Sequence, residues 1–110
     1  MTPVASLMIG RAMGTVVVTV DGALDAEGSG LLERLLIDLI DGQGNATVAV
    51  DLGRATIGPA ALAVFLDAGR RAGRQGTTFI LKAPTPEVHQ ALRTGGLDDR
   101  VQVVARRSVL

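Results

Sequence analysis

At 110 residues, with 47% of them apolar, the chain has the length of one domain and enough apolar side chains to close a core. Eleven Lys and Arg balance eleven Asp and Glu, and two Phe stand beside no Trp or Tyr. Neither a basic surface nor stacking aromatics therefore favours a nucleic-acid partner. Cysteine is absent, which excludes disulfides and thiolate metal sites.

Residues 4–9 are short and mostly apolar and suggest a first strand, at an edge. Residues 11–14 read as a turn. Residues 15–20, T-V-V-V-T-V, give the strongest strand signal in the chain, with valines on both faces. The two strands are close enough for a hairpin. Asp21-Gly22 ends the second strand, and Asp25 is the first candidate cap of the helix that follows. Ser29 competes with it, because Gly28 and Gly30 weaken the helix start. From Leu31 the helix is clear: Leu32, Leu35, Leu36, Leu39 and Ile40 recur at helical spacing, while Glu33, Arg34, Asp38 and Asp41 face away. Residues 42–45 stop it.

Residues 47–52 are apolar and β-branched, with Asp51 near the end, and read as the central buried strand. A short loop leads to Gly58-Pro59, where Pro in the first helical position marks a helix start. The helix runs to Arg74 with Leu62, Phe65, Leu66 and Gly69 inward, and Gly76 ends it. Residues 77–81 form a strand. Thr85 caps a third helix that starts at Pro86 and reaches about Thr94, with Val88, Ala91 and Leu92 inward. Gly95-Gly96 caps that helix, and Leu97 packs back on it. Residues 101–104 form the last strand, and residues 106–110 a frayed tail.

Strand and helix alternate after the first hairpin. One domain over residues 1–110 is expected, of α/β class: a four- to five-stranded mixed sheet, mostly parallel, covered by about three helices. Leu36, Val50, Leu62, Phe65, Leu66, Ile80 and Leu92 should be buried. No apolar run reaches ~18 residues, so no membrane span is expected. Residues 1–14 lack the long apolar stretch of a signal peptide, and the expected location is the cytoplasm.

In open α/β sheets, ligands and partners gather where strands end and helices begin, which points to the strand-loop-helix junction at residues 48–62. That junction contains no Ser, Cys or His, so it offers little chemistry of its own. His89 is the one histidine and has no carboxylate or Cys at ligand spacing. Arg70, Arg71 and Arg74 are read as a solvated helix end, favoured there by the helix dipole, rather than as an anion site. No serine-histidine-aspartate set or glycine-rich phosphate loop is credible. No enzyme activity, metal or cofactor is expected.

Four stretches, taken in order, resemble the STAS family of bacterial anti-sigma factor antagonists and of domains appended to sulfate transporters. They are V-D-G-A-L-D at residues 20–25, V-A-V-D-L at residues 48–52, the loop and helix that follow, and A-P-T-P-E-V at residues 83–88 continuing to T-G-G-L-D-D at residues 94–99. The resemblance covers about residues 8–104. It implies the STAS-like fold and a role in protein binding and transcription regulation by partner switching. The family's central motif is D-S-S-G-L at the start of the second helix, and its first Ser is phosphorylated by a kinase that is itself the anti-sigma factor. Leu62 matches the family's Leu, which puts Gly58, Pro59, Ala60 and Ala61 on the four positions before it. The segment ahead of them is one residue short. Pro59 occupies the phospho-acceptor position and has no hydroxyl, so this chain is non-phosphorylatable there.

The resemblance and the small side chains together make Gly58, Pro59, Ala60 and Ala61 a partner-binding surface, flanked by Asp25 and Arg54 with one charge of each sign. Asp25 also reads as a simple helix cap. A helix N-terminus attracts anions, but Pro59 removes one donor. Thr56 is the nearest hydroxyl and the alternative phosphosite, unless it is a loop Thr bonded to its own backbone. The leading expectation is a non-enzymatic regulator docking on a kinase-type anti-sigma factor. The alternatives are an accessory STAS subunit on a membrane transporter's ATPase, and a small-ligand-binding STAS domain. A protein partner is expected, with no nucleic acid and no insertion into membrane; a homodimer is left open.

Overall fold

A computed structural model describes residues 5–42, 44–83 and 85–105. Strands β1 (Ser6–Ala12) and β2 (Thr15–Leu24) form an antiparallel hairpin. Met13 and Gly14, with φ of 51° and 81°, supply the two positive-φ positions that a tight hairpin turn needs. The chain continues through α1 (Ala26–Ile37), a π-helical turn (Asp38–Gly42), β3 (Thr47–Ile57) and α2 (Pro59–Gln75). It ends with β4 (Thr78–Ala83), α3 (Pro86–Thr94), a 3-10 turn (Leu97–Asp99) and β5 (Gln102–Ala105).

The five strands lie in the order β1-β2-β3-β4-β5, so β3 is central. All pairings after the hairpin are parallel. This is the expected mixed, mostly parallel sheet with three helices.

Strand alternation shows where the core sits, because successive side chains point to opposite faces. Val16, Val18 and Val20 on β2, Val48, Val50 and Leu52 on β3, and Phe79, Leu81 and Ala83 on β4 all join one buried cluster. Leu32 and Leu36 of α1, Phe65 and Ala68 of α2, and Val88 and Leu92 of α3 complete it. All three helices therefore pack on one face of the sheet. The intervening residues Val17, Thr19, Ile80 and Lys82 lie on the other face and are half-buried or exposed.

Of the expected core, Leu36, Val50, Phe65 and Leu92 are buried, while Leu62, Leu66 and Ile80 are half-buried. Ile80 is displaced by strand parity, since Phe79 and Leu81 take the inward positions. On α2 the inward stripe is Ala61, Val64, Phe65, Ala68 and Ala72. Leu62 and Leu66 flank that stripe and pack against the core only in part. Leu35 and Ala91 are half-buried as well. Leu97 is fully buried, as its expected contact with the end of α3 requires.

Expected strand ends are also corrected: β1 reaches Ala12, leaving only Met13-Gly14 as the turn, and β4 reaches Ala83. β2 runs through Asp21-Gly22 to Leu24, and β3 runs beyond Leu52 to Ile57, because the two segments pair with each other. No separate loop precedes α2. The expected tail at residues 106–110 lies outside the described residues.

Candidate functional site

The upper ends of β2 and β3 form the candidate site, and one irregularity sets which side chains they present. Thr19 pairs with Asp51, but two residues later Asp21 pairs with Arg54, so β3 carries one extra residue. This is a bulge. The Asp51 carboxylate accepts the Gly53 N–H at 2.9 Å within it. Asp51 is 7% exposed, and this bond is one of those that offset the cost of burying a charge there.

The bulge reverses the alternation of β3. Without it, Arg54 and Thr56 would follow Val48, Val50 and Leu52 onto the helix-covered face. With it, Ala55 enters the core, Ile57 packs against the core, and Arg54 and Thr56 are exposed. A one-residue slip moves every later side chain to the opposite face, and here the slip is built into the strand.

Leu24 and Ile57 are the last β2–β3 pair. Asp25 and Gly58 follow them, so α1 and α2 start side by side. Asp25 caps α1: its Oδ1 accepts the Gly28 N–H at 2.9 Å, and its carbonyl accepts the Ser29 N–H at 2.9 Å. Ser29 is not the cap. Its buried hydroxyl donates to the Leu24 carbonyl at 3.3 Å. Gly28 is needed for close approach, since a Cβ there would lie 3.0 Å from the Ala23 carbonyl oxygen and 3.2 Å from the Ala5 Cβ.

Gly58 is the N-cap of α2 in extended conformation and makes no side-chain cap bond. Pro59 is exposed, and Gly58 and Ala60 are half-buried. Ala61 is fully buried against the core, so its side chain is removed from the expected partner-binding surface. A hollow of about 240 Å3 is lined by Ala23, Leu24, Asp25, Thr56, Ile57 and Gly58. It brings Asp25, Thr56 and Gly58 together. Arg54 lies outside it, ~10 Å back along the strand from Ile57 at the usual rise per residue. Ala23 and Ile57 carry no sequence signal for a site; only the strand pairing reveals them.

Two other sequence candidates are placed elsewhere. At the far end of α2, Arg70 and Arg74 are exposed, as a solvated helix end requires, while Arg71 is half-buried and donates to Asp41 at 2.8 Å and to Asp67 at 3.3 Å. Partial burial works against its charge, but the bonds to Asp67 and Asp41 outweigh this and its pKa is raised. His89 is half-buried on α3, and no group of metal-ligating side chains occurs among the described residues. No helix among them is long and apolar enough to cross a membrane.

Similar folds are found in solved structures. An anti-sigma factor antagonist from Mycobacterium paratuberculosis aligns with a TM-score of 0.81 at 19% identity, over 91% of this chain and 85% of that one. The unphosphorylated form of the antagonist SpoIIAA aligns at 0.77 and 17% identity, over 92% and 90%. An RsbS variant from Moorella thermoacetica aligns at 0.76 and 20% identity, over 92% and 87%. At these identities the likeness is one of fold. No curated protein matches the chain. The family model described as "Mlab, STAS domain" matches residues 7–105, nearly the whole chain. The protein is thus a member of the STAS domain family, with the fold of the anti-sigma factor antagonists.

Proposed function

We propose that the chain is a non-enzymatic regulator that docks on a kinase-type anti-sigma factor through the start of α2, with no phosphorylation switch at that position. The observation that carries this is Pro59. It is exposed at the first position of α2 and has no hydroxyl, and the motif resemblance matches it to the family's phospho-acceptor Ser. The names of the structural neighbours support an antagonist-like role. Gly58 and Ala60 add little bulk, so a partner backbone approaches closely in the middle of the patch. Asp25 supplies a polar group at its rim, as in the usual anatomy of a protein interface, while Arg54 lies too far back along β3 to join it.

The same observation favours a second reading. A STAS domain with no switch suits a permanent accessory subunit on a transporter ATPase, docked by the same helix. Co-purification from the native host with a kinase-type anti-sigma factor, or with an ATPase, separates the two.

Ala60→Glu tests the docking surface itself. An acidic side chain is tolerated in the first turn of a helix, so folding survives. Affinity for the co-purified partner, read by titration calorimetry, should fall by at least ~2 kcal/mol, the scale of an interface hot spot. His89→Glu on α3 is the control and should change neither folding nor affinity. Unchanged binding by Ala60→Glu would place the interface elsewhere.

A further inference from the structure

β3 is paired on both sides only as far as Asp51. Its partners on β4 are Thr78 to Lys82, opposite Thr47 to Asp51, while β2 follows it to Ile57. Residues 53–57 therefore have strand conformation and one free edge among the described residues. Alternate residues of a strand direct N–H and C=O to each side, so this edge, apart from the Gly53 N–H that Asp51 already holds, presents main-chain donors and acceptors for another strand.

The free edge faces a helix. A groove of about 350 Å3 is lined on one wall by Ala55, Thr56 and Ile57, and on the other by the α3 residues Glu87, Val88 and Ala91, together with its cap Thr85. Its apolar lining comes from Ala55, Ile57, Val88 and Ala91. Glu87 is exposed and is the one ionisable residue in the lining. A strand edge opposite a helix, with apolar side chains between, is the geometry in which extended peptides add to a sheet: the main chain supplies affinity and side-chain pockets supply selectivity.

We propose that this groove binds an extended peptide segment of a partner protein by strand addition to residues 53–57, with a basic side chain of the peptide meeting Glu87. The free edge selects an extended backbone over a helix. Within the groove lining the single charge is negative and selects Lys or Arg over Asp or Glu; Arg54, on the same strand segment, is outside that lining and on the face turned away from the helices. Thr56 and Ile57 line both this groove and the hollow beside Gly58, so the groove lies across that ridge from the start of α2. It is a second contact, independent of docking through Ala60.

A phage-displayed library of random dodecapeptides, panned on the whole protein, tests this. Enriched sequences are then synthesised and titrated. The expected result is enrichment of peptides with a Lys or Arg among β-branched residues. On binding, amides within residues 53–57 should gain hydrogen-exchange protection, and those of Val88 and Ala91 should shift in the NMR spectrum. Glu87→Lys, at an exposed position, should keep the circular dichroism spectrum and weaken these peptides at least tenfold. Panning against Glu87→Lys should turn the preference to Asp or Glu. The proposal is overturned if no peptide is enriched over an unrelated control protein, or if protection falls outside residues 53–57. Indifference of the affinity to Glu87→Lys would also overturn it. Ala60→Glu should leave peptide affinity unchanged, so failure of the α2 docking surface and failure of this groove are read separately.

Discussion

The Asp51 carboxylate holds the Gly53 N–H at 2.9 Å, inside the bulge that turns Arg54 and Thr56 outward. A side chain two residues away thus satisfies a donor that the bulge takes out of the ladder. Asp51→Ala leaves that donor without its partner and should lower stability by about 1–3 kcal/mol. Asp51→Asn keeps an acceptor oxygen and should cost less. Urea unfolding of both variants checks the order. Equal losses would assign the role of Asp51 to its charge rather than to this bond.

Two glycines on α2 separate close packing from helix propensity. A Cβ on Gly69 would lie 3.0 Å from Val101 Cγ2, whereas one on Gly73 meets nothing within 4 Å. Gly73→Ala should therefore stabilise by about 0.5–1 kcal/mol, the gain of replacing Gly by Ala in a helix. Gly69→Ala makes the same gain but crowds Val101, so it should be neutral or destabilising. Thermal unfolding decides this. A similar rise in Tm for both would mean that α2 stands farther from the β5 side than described.

Asp25 serves a cap and faces a hollow, and two substitutions divide these roles. Asp25→Ala removes the bond to the Gly28 N–H and should cost about 1 kcal/mol of stability. Asp25→Asn keeps a capping oxygen and removes the charge, so stability should hold. If Asp25 also rims the docking surface, Asp25→Asn should weaken partner binding while leaving the unfolding midpoint in place. Unaltered binding by Asp25→Asn would leave the residue a cap alone.

Phosphorylation has a chemical limit here. Residues 58–62, G-P-A-A-L, contain no hydroxyl. Incubation with a kinase-type anti-sigma factor and ATP should leave them unmodified in phosphopeptide mapping. Thr56 is exposed beside Asp25 and Gly58, and is the nearest acceptor. A phosphate there would add up to about two negative charges next to a carboxylate. High occupancy at Thr56, with altered partner binding by Thr56→Val, would sink the unswitched reading.

Much of this protein is determined by local sequence chemistry. Pro59 and Thr85-Pro86 mark the starts of α2 and α3 because Pro lacks an N–H where none is needed. Gly76 closes α2 in the left-handed region at φ 72°. Leu32, Leu36, Leu39 and Ile40 mark the buried side of the first helix by spacing alone. The central place of β3 follows from its apolar, β-branched run. The family was legible too, because it rests on short motifs in order.

What local chemistry could not decide is the top of the sheet, where the candidate site lies. Asp21-Gly22 and the stretch from Gly53 to Ala55 have weak strand propensity, and each becomes a strand because the other is there to pair with it. The extra residue in β3 has no signature of its own, yet it places Ala55 inside and Arg54 and Thr56 outside. The burial of Ala61 was equally hidden, since it depends on how closely α2 packs. In each case the deciding partner is distant in sequence. Propensity and periodicity are local, whereas pairing register and helix-to-sheet distance are properties of the assembled core.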